Sequence, residues 1–404
     1  MNPIWQPVAV IAAIAFAVSL RYFKTLRGYQ FTAWIIAAVT LAMIYPANIL
    51  HVGDFDMRNK WLLLIIIQLV MFGMGTQMSL EDFKGVAKSP RGVLVGIICH
   101  FSVMPLVGFA LIKLFRFEPE IAAGIILIGS CSSGLASNVM AYIAKSNLAL
   151  SVTVTAVTTM LAPVMTPLWM KLLAGQLVEV KFFVMMMEII KIVLVPIAAA
   201  LLHDYLKHAS SRERKVVFSI AAFGVVWLAF LALGGWSFIT AHVAENPRIA
   251  IGIFGFMMAA AVTGVVYNQL ATLIPRLEGW MPRLSMFGIV YFTLVTTAAG
   301  RDNLMKIGLL LFLAAAIHNL AGYFFGYWLS RASGLDRNSA RSVAFEVGLQ
   351  NGSMASGVAN AMGMLGTMGL AAAIFSPWMN VTGSVLANYW GRREAKPDGP
   401  ETDG

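Results

Sequence analysis

A carboxylate and two carboxamides lie close together near the C-terminal end of this chain, inside a segment that is otherwise apolar enough to span a membrane. Glu346, Gln350 and Asn351 belong to the stretch FEVGLQNGS, residues 345–353. A charged group at membrane depth costs at least roughly 2.5–3.5 kcal/mol, so such groups mark functional sites by default. Glu346 and Gln350 share one face of a helix because they are four residues apart. The alternative is a buried polar cluster that only holds helices together.

Two glycines, Gly348 and Gly352, interrupt the helical pattern of this stretch. Glycine is a poor helix former and permits a break. A helix that is broken at mid-membrane exposes backbone carbonyls and half-helix ends, which secondary transporters use to hold ions and substrates. The stretch therefore predicts a ligand site in a membrane transporter.

A second polar segment, GSCSSGLASN at residues 129–138, is rich in glycine and serine within membrane depth. Such a run unwinds easily, and its hydroxyl and backbone groups can line a cavity. Ser151 and Thr155 follow on one helical face, four residues apart. Taken alone, the run fits equally well with serine and threonine packing between membrane helices.

The two polar segments together predict a site for a hard cation such as sodium, which prefers carboxylate, amide, hydroxyl and carbonyl oxygens. Interrupted segments in corresponding positions of two halves of a chain are the best sequence indication of a transporter site. One buried carboxylate would cancel the charge of a monovalent cation. The side chains that supply this oxygen set are Ser137, Asn138, Ser151, Thr155, Glu346 and Gln350.

The composition predicts an all-α polytopic membrane protein. The chain has 404 residues, of which 59% are hydrophobic and only 12% are charged, whereas a soluble domain carries about 25% charged residues. Its apolar runs are long and continuous, which disfavours a β-barrel. We expect about thirteen transmembrane helices of about 20 residues each.

The net charge of +10 predicts membrane topology rather than nucleic-acid binding, because the basic residues lie in short loops. Most of these residues fall in the loops that are inside if the N-terminus is outside and the C-terminus is cytoplasmic. The first apolar segment lacks an evident cleavage site and is expected to be a retained helix. These features predict a multi-pass protein of a bacterial-type inner membrane.

Cys99 and Cys131 both lie in apolar segments and predict neither a disulfide framework nor a metal cluster.

Several short segments occur in a specific order and spacing along the chain. They are 71–75 (MFGMG), 136–140 (ASNVM), 149–152 (ALSV) with Thr155, 318–319 (HN), 346–351 (EVGLQN), Asn380 and 383–384 (GS). By these segments, the chain resembles the bile acid:sodium symporter family between about Ala33 and Trp390.

The resemblance implies a ten-helix core of two inverted five-helix repeats, with broken helices at 121–144 and 342–362 that cross near mid-membrane. The expected organisation is an extra N-terminal helix in 1–30, a first repeat in 31–172, the start of the second repeat in 173–215, an inserted helix pair in 216–280, the rest of the second repeat in 281–391 and a cytoplasmic tail in 392–404.

The resemblance also implies the residues that bind sodium and substrate. One sodium site would use Ser137, Asn138, Ser151, Thr155 and Glu346. A second would use Glu346, Val347, Leu349 and Gln350. The substrate would lie near Asn351, Asn380 and the backbone at Leu135 and Ala136.

His100 stands where members of the family often have a glutamine that binds the second sodium. A neutral imidazole prefers transition metals or protons to sodium, so one sodium, or a sodium and a proton, are alternatives to two sodium ions. Packing of His100 against a helix carbonyl is equally compatible with the sequence.

The leading functional prediction is sodium-coupled symport of an organic anion, with sodium as the coupling ion. The alternatives are a proton-coupled carrier or exporter of the same superfamily and, from another class, a membrane sensor that binds a ligand without moving it. An enzyme is not expected, because no zinc-protease motif, phosphate-binding loop or nucleophile and base at motif spacing occurs in the chain.

Overall fold

A computed structural model describes residues 5–23 and 30–393, and these residues are almost entirely helical. The exception is a short antiparallel β-hairpin of His51–Val52 and Phe55–Asp56. The helices are α1 (Trp5–Ser19), α2 (Gln30–Ile44), α3 (Pro46–Leu50), α4 (Lys60–Gly75), α5 (Leu80–Lys88), α6 (Pro90–Phe115), α7 (Pro119–Ser130), α8 (Ala136–Ile143), α9 (Leu148–Trp169), α10 (Phe182–Ile189), α11 (Val195–His208), α12 (Ser211–Phe230), α13 (Trp236–His242), α14 (Glu245–Leu273), α15 (Arg276–Ala299), α16 (Arg301–Ala332), α17 (Arg337–Gly348), α18 (Gly352–Ala361) and α19 (Gly369–Gly391).

The chain is an all-α polytopic membrane protein, as its composition predicted. Within the described residues, eight helices are long and apolar enough to cross a membrane, and the bent pair α4 and α5 would make a ninth. Some of the remaining helices are short or broken, as α7 and α8 are. The count of thirteen is therefore not confirmed by helix length and apolarity.

Two broken helices cross each other. One consists of α7 and α8, and the other consists of α17 and α18. The extended residues of the breaks pair in antiparallel fashion, Ser133 opposite Gln350. The amide of Gly134 donates to the Leu349 carbonyl at 2.9 Å, and the amide of Asn351 donates to the Ser132 carbonyl at 2.8 Å. These bonds satisfy backbone groups that would otherwise be unpaired at membrane depth. The antiparallel pairing agrees with the opposite directions that inverted repeats require.

Small residues let the helices around the crossing approach closely, as in other membrane proteins. A Cβ atom on Gly134 would lie 2.8 Å from the carbonyl oxygen of Gln350, and a Cβ atom on Gly322 would lie 2.8 Å from the Cα of Gly348. α16 therefore packs directly behind the end of α17. The crossing is buried inside the protein.

Of the helices α12 to α14, which lie in the predicted insertion, α14 packs against α11 and α4, and α12 packs on α14, where a Cβ atom on Gly224 would lie 3.0 Å from Val262. A Cβ atom on Gly264 of α14 would lie 2.7 Å from the carbonyl oxygen of Ala199. The rings of Phe72 and Tyr267 meet edge to face with centroids 4.6 Å apart. Together these contacts place α14 beside the helices that flank the crossing, outside the crossing itself.

Two predicted segments differ from the structure or fall partly outside it. The segment that follows 71–75, which the family resemblance implies is a cytoplasmic loop, contains the helix α5, which begins with a capping box of Ser79 and Asp82. Of the predicted N-terminal helix in 1–30, positions 1–4 and 24–29 lie outside the described residues. The predicted tail lies outside them from position 394 onwards.

Candidate cation site at the crossing of two broken helices

The crossing brings together the five side chains predicted for the first cation site. Glu346 lies near the end of α17, one turn before the break, and is fully buried. Ser137 and Asn138 lie in the first turn of α8. Ser151 and Thr155 are four residues apart on α9 and so present their hydroxyl groups on one face.

Hydroxyl groups surround the carboxylate of Glu346. Ser151 Oγ donates to Glu346 Oε1, and Thr155 Oγ1 donates to Glu346 Oε2 at 2.8 Å. Ser133 and Ser137 also contact this carboxylate by their side chains. In the part of the chain that the structure describes, no basic side chain forms an ion pair with Glu346. Its charge therefore has no compensating charge from the protein there.

The oxygen atoms around Glu346 outnumber the hydroxyl protons that could form hydrogen bonds between them. Asn138 Oδ1 lies 2.9 Å from Ser151 Oγ and 3.1 Å from Thr155 Oγ1, the same two hydroxyls that face Glu346. Each hydroxyl has one proton to donate. Ser137 Oγ donates to the Gly134 carbonyl at 2.8 Å and lies 3.2 Å from Thr155 Oγ1. With the Asn138 amide in this orientation, the arrangement suits a cation that oxygen atoms coordinate.

A second group of acceptors lies at the end of α17 and in the break that follows it. Gln350 is fully buried, and its Oε1 has no hydrogen-bond partner, while its Nε2 donates to the Val347 carbonyl at 2.8 Å. The Leu349 carbonyl accepts from Gly134 N at 2.9 Å and from Ser133 Oγ at 3.3 Å. A buried acceptor without a partner is rare and calls for a ligand or a structural reason.

His100 links the two breaks. Its Nδ1 lies 2.9 Å from the Glu346 carbonyl oxygen, and its Nε2 lies 2.8 Å from the Cys131 carbonyl oxygen. A neutral imidazole has one N–H and satisfies only one of these two acceptors at a time. His100 thus contacts one of the carbonyls of the predicted second site, and it also contacts helix backbone, as the packing alternative expected.

The predicted substrate residues lie around the crossing in different settings. Leu135 and Ala136 are half-buried at the start of α8. Asn351 is 2% exposed, and its Oδ1 accepts from Met354 N at 3.0 Å, so it caps α18. Asn380 is half-buried on α19 and donates to the Ser376 carbonyl at 2.8 Å. The amide groups of Asn351 and Asn380 therefore both have partners within the protein.

Sequence reasoning missed a polar network behind the break in α17. Asn319 Nδ2 donates to the Gly348 carbonyl at 2.8 Å, and Thr382 Oγ1 donates to Asn319 Oδ1 at 2.6 Å. The Tyr323 hydroxyl donates to the Met379 carbonyl at 3.2 Å. The family resemblance had singled out the segment 318–319, but it did not indicate that Asn319 binds the Gly348 carbonyl.

The described residues contain no group of three or more His, Cys, Asp or Glu side chains that could hold a metal ion. The candidate site has one carboxylate, with amide and hydroxyl oxygens around it. Such a site suits a hard monovalent cation better than a transition metal.

Comparison with a solved structure supports the fold. The structure of a sodium proton antiporter from Methanocaldococcus jannaschii aligns with a TM-score of 0.58 and covers 98% of this chain and 100% of that chain. The two sequences are only 11% identical in this alignment, so the similarity is one of fold alone.

Comparison of sequences gives the family. The chain is 30% identical over 377 residues to the uncharacterized sodium-dependent transporter YocS of Bacillus subtilis. This alignment covers 93% of this chain and 95% of that protein. It is 29% identical over 369 residues to a probable chloroplastic sodium/metabolite cotransporter of Arabidopsis thaliana, covering 91% of this chain and 74% of that protein. It is 28% identical over 290 residues to the human ileal sodium/bile acid cotransporter, covering 72% and 66% respectively.

A family model described as the sodium bile acid symporter family matches residues 64–242. The relatives are named as transporters and not as enzymes. Because the similarity to one of them extends over nearly the whole of both chains, this protein belongs to the sodium bile acid symporter family of membrane transporters.

Proposed function

We propose that this protein is a secondary active transporter that couples the movement of sodium to the symport of a small organic anion by alternating access. The observation that carries this proposal is the fully buried carboxylate of Glu346, which hydroxyl and amide oxygens surround and which no described basic side chain pairs with. An uncompensated charge in this position is costly. A sodium ion as co-substrate would compensate for it.

Sodium in the first site would be bound by Ser137, Asn138, Ser151, Thr155 and Glu346. These residues lie on three helices, α8, α9 and α17. Binding would therefore join both broken helices and fix the crossing. A ligand that binds the ordered state more tightly shifts the population towards it.

The second ligand set, with Val347, Leu349 and Gln350, would bind a cation less readily. Its carbonyl groups already accept hydrogen bonds, one of them from Gln350 itself, and the His100 ring contacts the Glu346 carbonyl. The Oε1 atom of Gln350 remains available. We therefore propose that the first site fills first, and that the second fills only when these contacts open.

The organic anion would bind beside the crossing, close to Leu135, Ala136, Asn351 and Asn380. The half-helices α8 and α18 both begin there. Helix N-termini carry partial positive charge and favour anionic groups such as carboxylates. Substrate and sodium would therefore bind near one another with opposite charges.

The protein would reside in a bacterial-type inner membrane with its N-terminus outside and its C-terminus in the cytoplasm. In that orientation, the half-helix α18 faces outward and α8 faces inward. α18 is tightly packed, since a Cβ atom on Gly357 would lie 3.0 Å from Ile67 and 3.1 Å from Ile192. α8 leaves Val139 and Tyr142 exposed. This asymmetry supports a state that is closed to the outside.

The decisive experiment uses purified protein in proteoliposomes with an imposed sodium gradient and a panel of labelled organic anions. We expect sodium-driven uptake by the wild type and its loss in Glu346→Gln, which keeps the shape of the side chain but removes its charge. The matched control is Glu188→Gln, since Glu188 is an acid on α10 that is paired with Lys191 at 2.5 Å. It should keep sodium dependence.

Three results would contradict the proposal. Uptake that follows a proton gradient without sodium would favour a proton-coupled carrier. The absence of counterflow exchange for every ligand that binds would favour a sensor. Full sodium dependence in Glu346→Gln would remove the assigned role of this residue.

A further inference from the structure

A groove of about 630 Å3 lies between α16 and α19. It is open to its surroundings, because Val385 is 57% exposed and Trp328 is 56% exposed. Its walls are dominated by aromatic rings at membrane depth. They belong to Tyr323, Tyr327, Trp328, Trp378, Tyr389 and Trp390.

Two arginines lie at one end of this groove. The Arg393 guanidinium lies 4.3 Å from the ring centroid of Tyr389, and the Arg341 guanidinium lies 5.6 Å from that of Trp390. Arg341 also donates to the Arg393 carbonyl at 3.3 Å, which holds the two residues together. In the part of the chain that the structure describes, neither forms an ion pair with an acidic side chain. The groove therefore ends in positive charge.

Hydrogen bonds connect the groove to the break that follows α17. Tyr323 and Thr382 line the groove, and their hydroxyl groups lie 3.3 Å apart. Thr382 donates to Asn319, which in turn donates to the Gly348 carbonyl at the break of α17. An occupant of the groove would therefore pack against the network that holds this break in place.

We propose that the groove between α16 and α19 binds one anionic phospholipid, with an acyl chain along the aromatic wall and its phosphate at Arg341 and Arg393. Tyrosine and tryptophan are typical of the membrane interface. Basic pockets between transmembrane helices on the cytoplasmic side bind anionic lipid headgroups. Guanidinium groups bind phosphate oxygens in pairs of hydrogen bonds. An acyl chain can lie along the whole apolar wall, whereas a short free anion would contact only the end of the groove.

The test compares the thermal unfolding of the detergent-purified full chain with added phosphatidylglycerol or with phosphatidylcholine of the same acyl chains. Val385→Trp fills the groove, and the double variant Arg341→Gln with Arg393→Gln removes the charge at its end without altering the apolar wall. The controls are Val225→Trp, at a residue that is 54% exposed on α12, and Arg212→Gln near its start. Native mass spectrometry counts the lipids that remain bound.

We expect phosphatidylglycerol to raise the Tm of the wild type by roughly 2–4 °C more than phosphatidylcholine does, with one phosphatidylglycerol retained per chain. Val385→Trp should lose both effects, the arginine variant should lose the preference between the lipids, and both controls should keep it. Equal stabilisation by the two lipids would overturn the proposal. So would retention of the preference in the arginine variant, or a dimer that Val385→Trp dissociates regardless of lipid.

Discussion

The residue on which the proposed cation site depends is Glu346, because a carboxylate remains charged inside a membrane only if another group compensates for its charge. The hydroxyls of Ser151 and Thr155 offer one proton each to both Glu346 and Asn138. A cation between these oxygens would make up for the missing hydrogen bonds, since the oxygen lone pairs would then face positive charge. The importance of each hydroxyl can be measured separately from folding.

Replacement of Thr155 by valine should weaken sodium binding. Valine keeps the shape of the side chain but lacks the hydroxyl oxygen that lies next to Glu346 and Asn138. A hydrogen bond to a charged group contributes about 1.5–3 kcal/mol, which corresponds to roughly 10- to 150-fold weaker binding. The affinity is measured by sodium titration of the thermal stability of the purified protein. Thr159→Val is the matched control, since Thr159 donates only to the Thr155 carbonyl at 2.8 Å. Equal sodium affinities of Thr155→Val and the wild type would exclude Thr155 as a ligand.

At the scale of elements, the sequence was sufficient to locate both broken helices. The predicted spans 121–144 and 342–362 contain the breaks between Ser130 and Ala136 and between Gly348 and Gly352. Glycine and polar residues within apolar segments give this signal locally. Which carbonyl groups His100 and Asn319 contact could not be predicted from patterns alone, because these contacts depend on how helices distant in the sequence pack.

Substitution of Gly134 would show whether the two broken helices pack tightly where they cross. Gly134→Ala would place a methyl group 2.8 Å from the carbonyl oxygen of Gln350, so the two breaks would have to separate. Overpacking of this kind costs about 1–3 kcal/mol. We expect a lower Tm and a smaller stabilisation by sodium. Gly279→Ala is the control, since no atom lies within 4 Å of its added Cβ, and it should be neutral or stabilising. A neutral Gly134→Ala would mean that the breaks have room to adjust.

At the scale of the whole molecule, the two halves of the crossing differ in accessibility. The half-helix α18 is buried against α4 and the π-helical segment Ile190–Leu194, whereas α8 leaves Val139 and Tyr142 exposed. The meaning of this difference depends on which side of the membrane each half-helix faces. The distribution of basic residues predicts that α8 faces the cytoplasm. The side to which the proposed transporter is closed in this structure therefore depends on its orientation in the membrane.

Single cysteines can determine this topology, because the two native cysteines are buried, with Cys99 6% exposed and Cys131 fully buried. Asp54 lies in the exposed turn of the β-hairpin, which is predicted to be outside, and Arg212 is exposed at the start of α12, predicted to be inside. A membrane-impermeant maleimide should label Asp54→Cys in intact cells and Arg212→Cys only after permeabilisation, with the wild type unlabelled as control. The opposite pattern would reverse the orientation, so that α18 would face the cytoplasm and the closed side would be the cytoplasmic one.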